Sequence, residues 1–361
     1  MLKASALIAF TLLASTGCGA SDHSTPSTPS KPSTPSSPST PSTGDNTAPG
    51  AFNPPPVADG YQRLTATTIP TINPGDDVTY CQYVMAPVDS DMDVIDIGGF
   101  QSKFGHHAVA FSYTGDGTQE LGKSTPCMGS EFSSGAGTSA DSMMGGADLT
   151  SMGSFLGGVG GGSSDNNTGK LPDGVVFRLK KGDGIMLNAH YINTGTEVIS
   201  GDAVIDVKLA DADPTRLVAS LFLNLNIGFN LPPQASTSSS SQCVAGDDVK
   251  ILMMTNHMHE FGTSATTEVT RANGDNVMLH ADPTWTYDMQ FNPVYSRWTV
   301  AAPFVLNKGD TIKTTCTWDN TKPDSMVFPR EMCIGVGFAL TTGDSTHVPA
   351  CAAGTWLSSF L

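Results

Sequence analysis

Short apolar–polar alternation, closely spaced turn signals and a scarcity of helix-period stretches predict an all-β chain, built as a sandwich or jelly roll. The alternation is carried in the first half by residues 78–85, 108–113, 175–179, 185–193 and 203–209. In the second half it is carried by 249–254, 266–270, 298–305, 311–318 and 333–340. Asn273-Gly274 between alternating flanks is a hairpin signal.

From the N-terminus, Lys3, an apolar stretch over residues 4–14 and Ser15-Thr16-Gly17-Cys18 read as a signal peptide of residues 1–18. The stretch is too short to span a bilayer. Cys18 after Gly17 looks like a lipidation site, with Ser15 an atypical residue three positions before it. This predicts an exported lipoprotein at the outer membrane or cell surface, held to the membrane only through its lipid. A periplasmic or secreted protein is the alternative.

Residues 19–60 form a Ser/Thr/Pro linker with a recurring Ser-Thr-Pro triplet. Its composition cannot build a core and favours extended polyproline II. At ~3.1 Å per residue, roughly 30 such residues reach about 90 Å.

The rest of the 361-residue chain is long enough for two domains, expected over 61–212 and 213–361. An insertion of about residues 129–169 interrupts the first, dominated by Gly and Ser with Met143, Met144 and Met152 scattered through it. It is expected to be a long mobile loop that packs no core, with a lid or a methionine copper-collecting loop as the functional alternative.

A net charge of −16 argues against nucleic acid and anionic membrane surfaces as partners. Beyond Cys18 six cysteines remain, Cys81, Cys127, Cys243, Cys316, Cys333 and Cys351. An even number in an exported chain implies disulfides, and with no Cys-x-x-Cys pair thiolate metal sites are disfavoured. Sequence alone leaves the connectivity open.

Five of the eight histidines fall in Gly105-His106-His107, in His190 and in Asn256-His257-Met258-His259. Neutral imidazole is a common transition-metal ligand. On a strand, residues i and i+2 share a face, so His257 and His259 aim at one point. Adjacent His106 and His107 would diverge on a regular strand, so shared coordination needs a bulge, which Gly105 and Phe104 permit. His280 and His347 are expected to be a structural and a surface histidine.

The ordered set His106-His107, His190, His257-x-His259 and Met332-Cys333 resembles the copper type II, ascorbate-dependent monooxygenases. Peptidylglycine α-hydroxylating monooxygenase and dopamine β-monooxygenase belong to that family. The resemblance runs from about Thr67 to Cys351, with supporting fragments at residues 187–191 and 285–290. It implies two tandem jelly-roll domains with a copper each, facing one another across a solvent-filled cleft. His106, His107 and His190 would hold an electron-transfer copper; His257, His259 and Met332 would hold the copper where oxygen is activated. A soft thioether such as Met332 suits Cu(I). The resemblance implies two coppers, ascorbate as reductant, oxygen as co-substrate and hydroxylation of a C–H bond in a small organic or peptide substrate. It further implies the bridges Cys316–Cys333 and Cys243–Cys351, which leaves Cys81–Cys127. The chain is expected to be monomeric.

Departures bear on the substrate. The peptide-amidating enzymes carry an arginine two residues before His-x-His, where this chain has Thr255, and a tyrosine four residues after the methionine ligand, where it has Val336. Asn188 replaces a longer glutamine. Without the arginine and tyrosine, a C-terminal glycine would lose its anchor. A copper-binding surface lipoprotein without catalysis is the alternative function.

Overall fold

The computed structural model describes residues 52–115, 119–127, 153–160, 170–290, 292–328, 330–343 and 345–360. The expected signal peptide, the expected lipidation site Cys18, residues 19–51 of the linker, and Met143, Met144 and Met152 lie outside them. Among the described residues the chain is almost entirely strand, with a single 3-10 turn at Tyr287–Gln290 and no helix long and apolar enough to cross a membrane. The all-β expectation holds.

Two face-packed sheets build the first half. One orders the strands Ser124–Pro126, Asp77–Met85, Asp183–Ile192, Gly105–Thr114 and Phe155–Gly160. The other carries Gln62–Thr65, Ala203–Asp211, Met92–Gln101 and Val175–Leu179. Alternation along these strands sends Val94, Ala108, Ala110, Leu187, Ala189, Ile205 and Val207 into the core between them. The second half repeats the plan. Leu217–Leu225, Ile334–Leu340 and Val249–His257 face a four-stranded sheet of Ala235–Val244, Thr311–Asn320, Gly262–Thr270 and Asn276–Asp282. The last two form the hairpin expected at Asn273-Gly274, where Gly274 takes φ 92°.

The halves are not separate bodies. Leu217 and Val218 pair in parallel with Val175 and Val176, which makes one sheet of 11 strands out of both. Leu252, Met253 and Phe338 of the second half complete the hydrophobic core of the first. Buried Asp93 fastens the crossover: its carboxylate accepts from Arg178 Nε at 2.7 Å, Arg216 Nη1 at 2.9 Å and the Asp213 backbone at 3.0 Å.

The three expected disulfides are present, Cys81–Cys127, Cys243–Cys351 and Cys316–Cys333. They fit an oxidising environment, extracellular or periplasmic.

Two expectations about elements fail. Part of the Gly-rich insertion is a strand: Phe155–Gly160 pairs with Gly105–Thr114, and Leu156 and Val159 are buried in the core. Its glycines serve close approach. A Cβ on Gly158 would lie 2.6 Å from Val109 Cγ1, and one on Gly157, at φ 126°, would overlap Ile97. The continuous strand expected over 298–305 is instead split into Ser296–Arg297 and Phe304–Leu306, with a Thr299–Ala302 bridge between them. Pro303 has no N–H to give a ladder there.

Candidate metal centre

The β-bulge that His106 and His107 require is present. Gly105 pairs with Tyr191 and His107 with His190, so His106 is the extra residue opposite that step. Phe104 enters it at φ 66°. The bulge turns His106 and His107 to the same side and sets them beside His190 on the neighbouring strand. Ring centroids lie 4.7 Å apart for His106 and His190, 5.1 Å for His107 and His190, and 5.2 Å for His106 and His107. One nitrogen from each of the three lies within 4.8 Å of the others. Bonds of ~2.0–2.1 Å to a shared ion need an edge nearer ~3.4 Å, so small side-chain rotations close the set.

Outward partners assign the tautomers. Gln290 has its amide fixed by donating Nε2–H to the Tyr287 carbonyl at 2.9 Å, so its Oε1 accepts from His106 Nε2 at 3.0 Å. Asn188 turns its Nδ2 toward the Cys81 and Cys127 sulfurs at 3.5 and 3.6 Å, and its Oδ1 accepts from His107 Nε2 at 3.1 Å. Asp77 Oδ1 accepts from His190 Nε2 at 2.5 Å. His106 and His107 thus each carry a proton on Nε2 and keep the lone pair on Nδ1, while His190 gives its Nε2–H to Asp77. The Nδ1 atoms of His106 and His107 stand 3.0 Å apart. Two lone pairs at that distance call for a cation between them.

His106 and His107 resist protonation. Burial, then the charges of His190, His107 and His259, hold His106 well below the usual imidazole range. Burial and His190 push His107 down to about 3 despite the opposing Asn188 bond. For Asp77 burial pushes upward, but the bond and charge of His190, with His259 and Arg330 beyond, outweigh it and hold the carboxyl low.

His257 ends its strand, and His259 follows in the turn. Their rings converge to 5.2 Å, around a strand end rather than along a strand, with Met258 between them sunk into the core beside Trp285 and Trp318. His259 Nδ1–H donates to the Arg330 carbonyl at 3.1 Å, leaving Nε2 its lone pair. Burial and neighbouring charge bring His259 to about 4 and His257 well below its ordinary value. Among the described residues His259 approaches the first set closely, its ring 5.5 Å from that of His106, and Gln290 of the second half bonds the His106 ring.

Met332 precedes its strand rather than lying in it. It packs against the apolar cluster of Leu223, Ile334 and Ala350, one end of which is the Ile334 that pairs with His257. Thr255 is buried and Val336 packs with Met332, so neither supplies a charged anchor. His280 is structural as expected, buried between Ser296 at 2.9 Å and Asp282 at 3.1 Å. His347 is half-buried, with Ser154 at 3.4 Å, rather than at the surface.

Sequence reading missed Asp77, Gln290 and Glu331, and gave Asn188 no role. Gln290 lies in a fragment singled out at 285–290; nothing local marks the other two.

No family model and no curated protein matches the chain. Among solved structures it is similar to the major capsid protein P2 of bacteriophage PM2 at 8% identity and TM-score 0.31, over 79% of this chain and 99% of that one. It is also similar to infectious bursal virus T=1 particles at 9% identity and TM-score 0.18, over 82% and 72%. A third is the CUB1-EGF-CUB2 region of rat MASP-1, at 9% identity and TM-score 0.16, over 78% and 97%. Scores this low support no inference about function, which rests on the centre itself.

Proposed function

We propose that this chain is an exported, copper-dependent monooxygenase. It would hydroxylate a C–H bond of a small organic or peptide substrate with oxygen and with ascorbate or another one-electron donor. The observation that carries the reading is the convergence of His106, His107 and His190, with one nitrogen of each within 4.8 Å of the others and the Nδ1 atoms of His106 and His107 3.0 Å apart. The donor set is all-nitrogen, with no thiolate in reach, since all six cysteines of the two halves are in disulfides. Imidazole nitrogens of this kind suit copper. Copper bound here would supply one-electron redox chemistry, and a second copper held by His257, His259 and Met332 would supply the oxygen-binding position.

The chain's own residues prepare that chemistry. Asp77, Asn188 and Gln290 fix three rings with their lone pairs inward, and the Arg330 carbonyl does the same for His259. The low proton affinity of His107 and His259 keeps both available as ligands down to acidic pH. Met332, from the end of a neighbouring strand, is the thioether assigned to the second copper. The chain is read as a lipoprotein anchored through Cys18.

A second reading, a copper-binding lipoprotein without catalysis, draws on the closeness of His259 to His106, 5.5 Å between ring centroids, where the resemblance implies two coppers facing each other across a cleft. Metal analysis and oxygen consumption separate them. Two coppers per chain, ascorbate-driven oxygen use, and loss of one copper with that activity in His259→Ala support the monooxygenase. Two coppers with no oxygen use across a broad substrate panel support the binding protein, and absence of copper binding overturns both.

A further inference from the structure

The segment that carries Met332 also touches His259 twice. Arg330 accepts from the His259 ring, and the carboxylate of Glu331 accepts from the His259 backbone N–H at 3.1 Å. The same Oε2 takes Trp318 Nε1–H at 3.0 Å and the Met332 backbone N–H at 3.3 Å, while Oε1 takes the Phe261 N–H at 2.9 Å. Next along the chain, Cys333 is bonded to Cys316 in the adjoining sheet.

Glu331 is wholly buried, at 0% exposure. Its partners are N–H dipoles, two of them belonging to the very residues assigned to the second copper. Burying a carboxylate is costly, and a well-packed apolar side chain fills a core at less expense. Such a group holds its place by what it fixes. Here one rigid carboxylate spans the turn after His257 and the approach to Met332, so it ties the backbone of His259 to that of Met332, two residues from separate segments of the chain.

We propose that Glu331 is the positioning residue of the second copper site, holding His259 and Met332 at the separation that one ion requires. This rests on the copper reading above. Outer partners of metal ligands typically contribute 10–100-fold to metal affinity.

The test uses the full chain, loaded with copper and reduced, and compares wild type with Glu331→Gln and Trp318→Phe. Gln keeps the volume but turns an NH2 toward N–H donors. Trp318→Phe removes one donor to the same oxygen and touches neither ligand. The expected result is a 10–100-fold weaker second copper in Glu331→Gln, with its sulfur scattering lost from the X-ray absorption spectrum and the first copper unchanged. Trp318→Phe keeps both coppers and the sulfur signal while lowering Tm. The inference is overturned if Glu331→Gln retains the second copper and its sulfur scattering, or if Trp318→Phe loses them equally. Should Glu331→Gln not fold, Glu331→Asp, which withdraws the oxygens by one methylene, is read by the same two outcomes. Wild type that binds no copper would instead refute the copper reading.

Discussion

Acidifying the metal-free protein should destabilise it steeply between pH 6.5 and 5. Four histidines, His106, His107, His257 and His259, have folded-state proton affinities pushed far below the ordinary value by burial and mutual repulsion. In the unfolded chain each titrates near 6.5, so below that pH the unfolded state binds protons that the folded state refuses. A group with a depressed imidazole pKa loses stability as pH falls. Glu331 works in the opposite sense. Burial raises it to about 7 against a carboxyl value of 4.5, so within that window the folded state holds the extra proton. At pH 5.5 the four histidines contribute between three and four protons taken up on unfolding, and Glu331 subtracts about one. The net is about three protons, a slope of about 4 kcal/mol per pH unit, as an upper bound because the rings repel one another as a set. Between pH 6.5 and 5 the loss sums to at most about 5 kcal/mol, a large share of a total stability of ~5–15 kcal/mol, so the metal-free chain should be markedly easier to unfold near pH 5. Urea titrations followed by circular dichroism at half-unit pH steps measure the slope. A slope below one proton would show that the rings are not held neutral as described.

Further outcomes follow from single contacts. On the copper reading proposed above, Asn188→Ala removes the acceptor that keeps the His107 proton on Nε2 and should weaken copper at the His106–His107–His190 set 10–100-fold by competition with a chelator, leaving the other set unchanged. Leu156→Ala, in the strand whose composition resembles a linker, should cost about 2–5 kcal/mol in urea unfolding; a change under 0.5 kcal/mol would return that strand to the status of a loop. Asp93→Asn weakens the hold on two guanidiniums at a buried position and should cost about 3–5 kcal/mol, seen as a fall in Tm.

The strands were legible because each half buries one face of every strand, which imposes period 2 on the sequence. The His106-His107 bulge was legible too, since Gly105 announced the break that adjacent rings needed. The strand at Phe155–Gly160 was not. Glycines placed for contact with Ile97 and Val109 have the composition of a flexible tract, and only the partner strands distinguish the two uses. Pro303 carried its warning locally, yet the alternation around it outweighed the breaker. Asp77 was beyond reach for another reason. It sits beside His190 only because Thr79 pairs with that residue across the sheet, and strand register is not written in either segment alone. The assignment of Met332 as a ligand rests on family resemblance alone, since its contacts are those of an ordinary apolar side chain.

Phe338 belongs to a strand of the second half, yet its ring lies 5.8 Å from Phe155 and 5.5 Å from Phe177 of the first. Neither half can therefore melt alone without stripping aromatic surface from the other. Heat or denaturant should meet one cooperative transition where a tandem arrangement would show two. An ion gripped by histidines of either half then stabilises the entire molecule, because ligand binding weights the one folded state that exists. A folded fragment of either half is not to be expected.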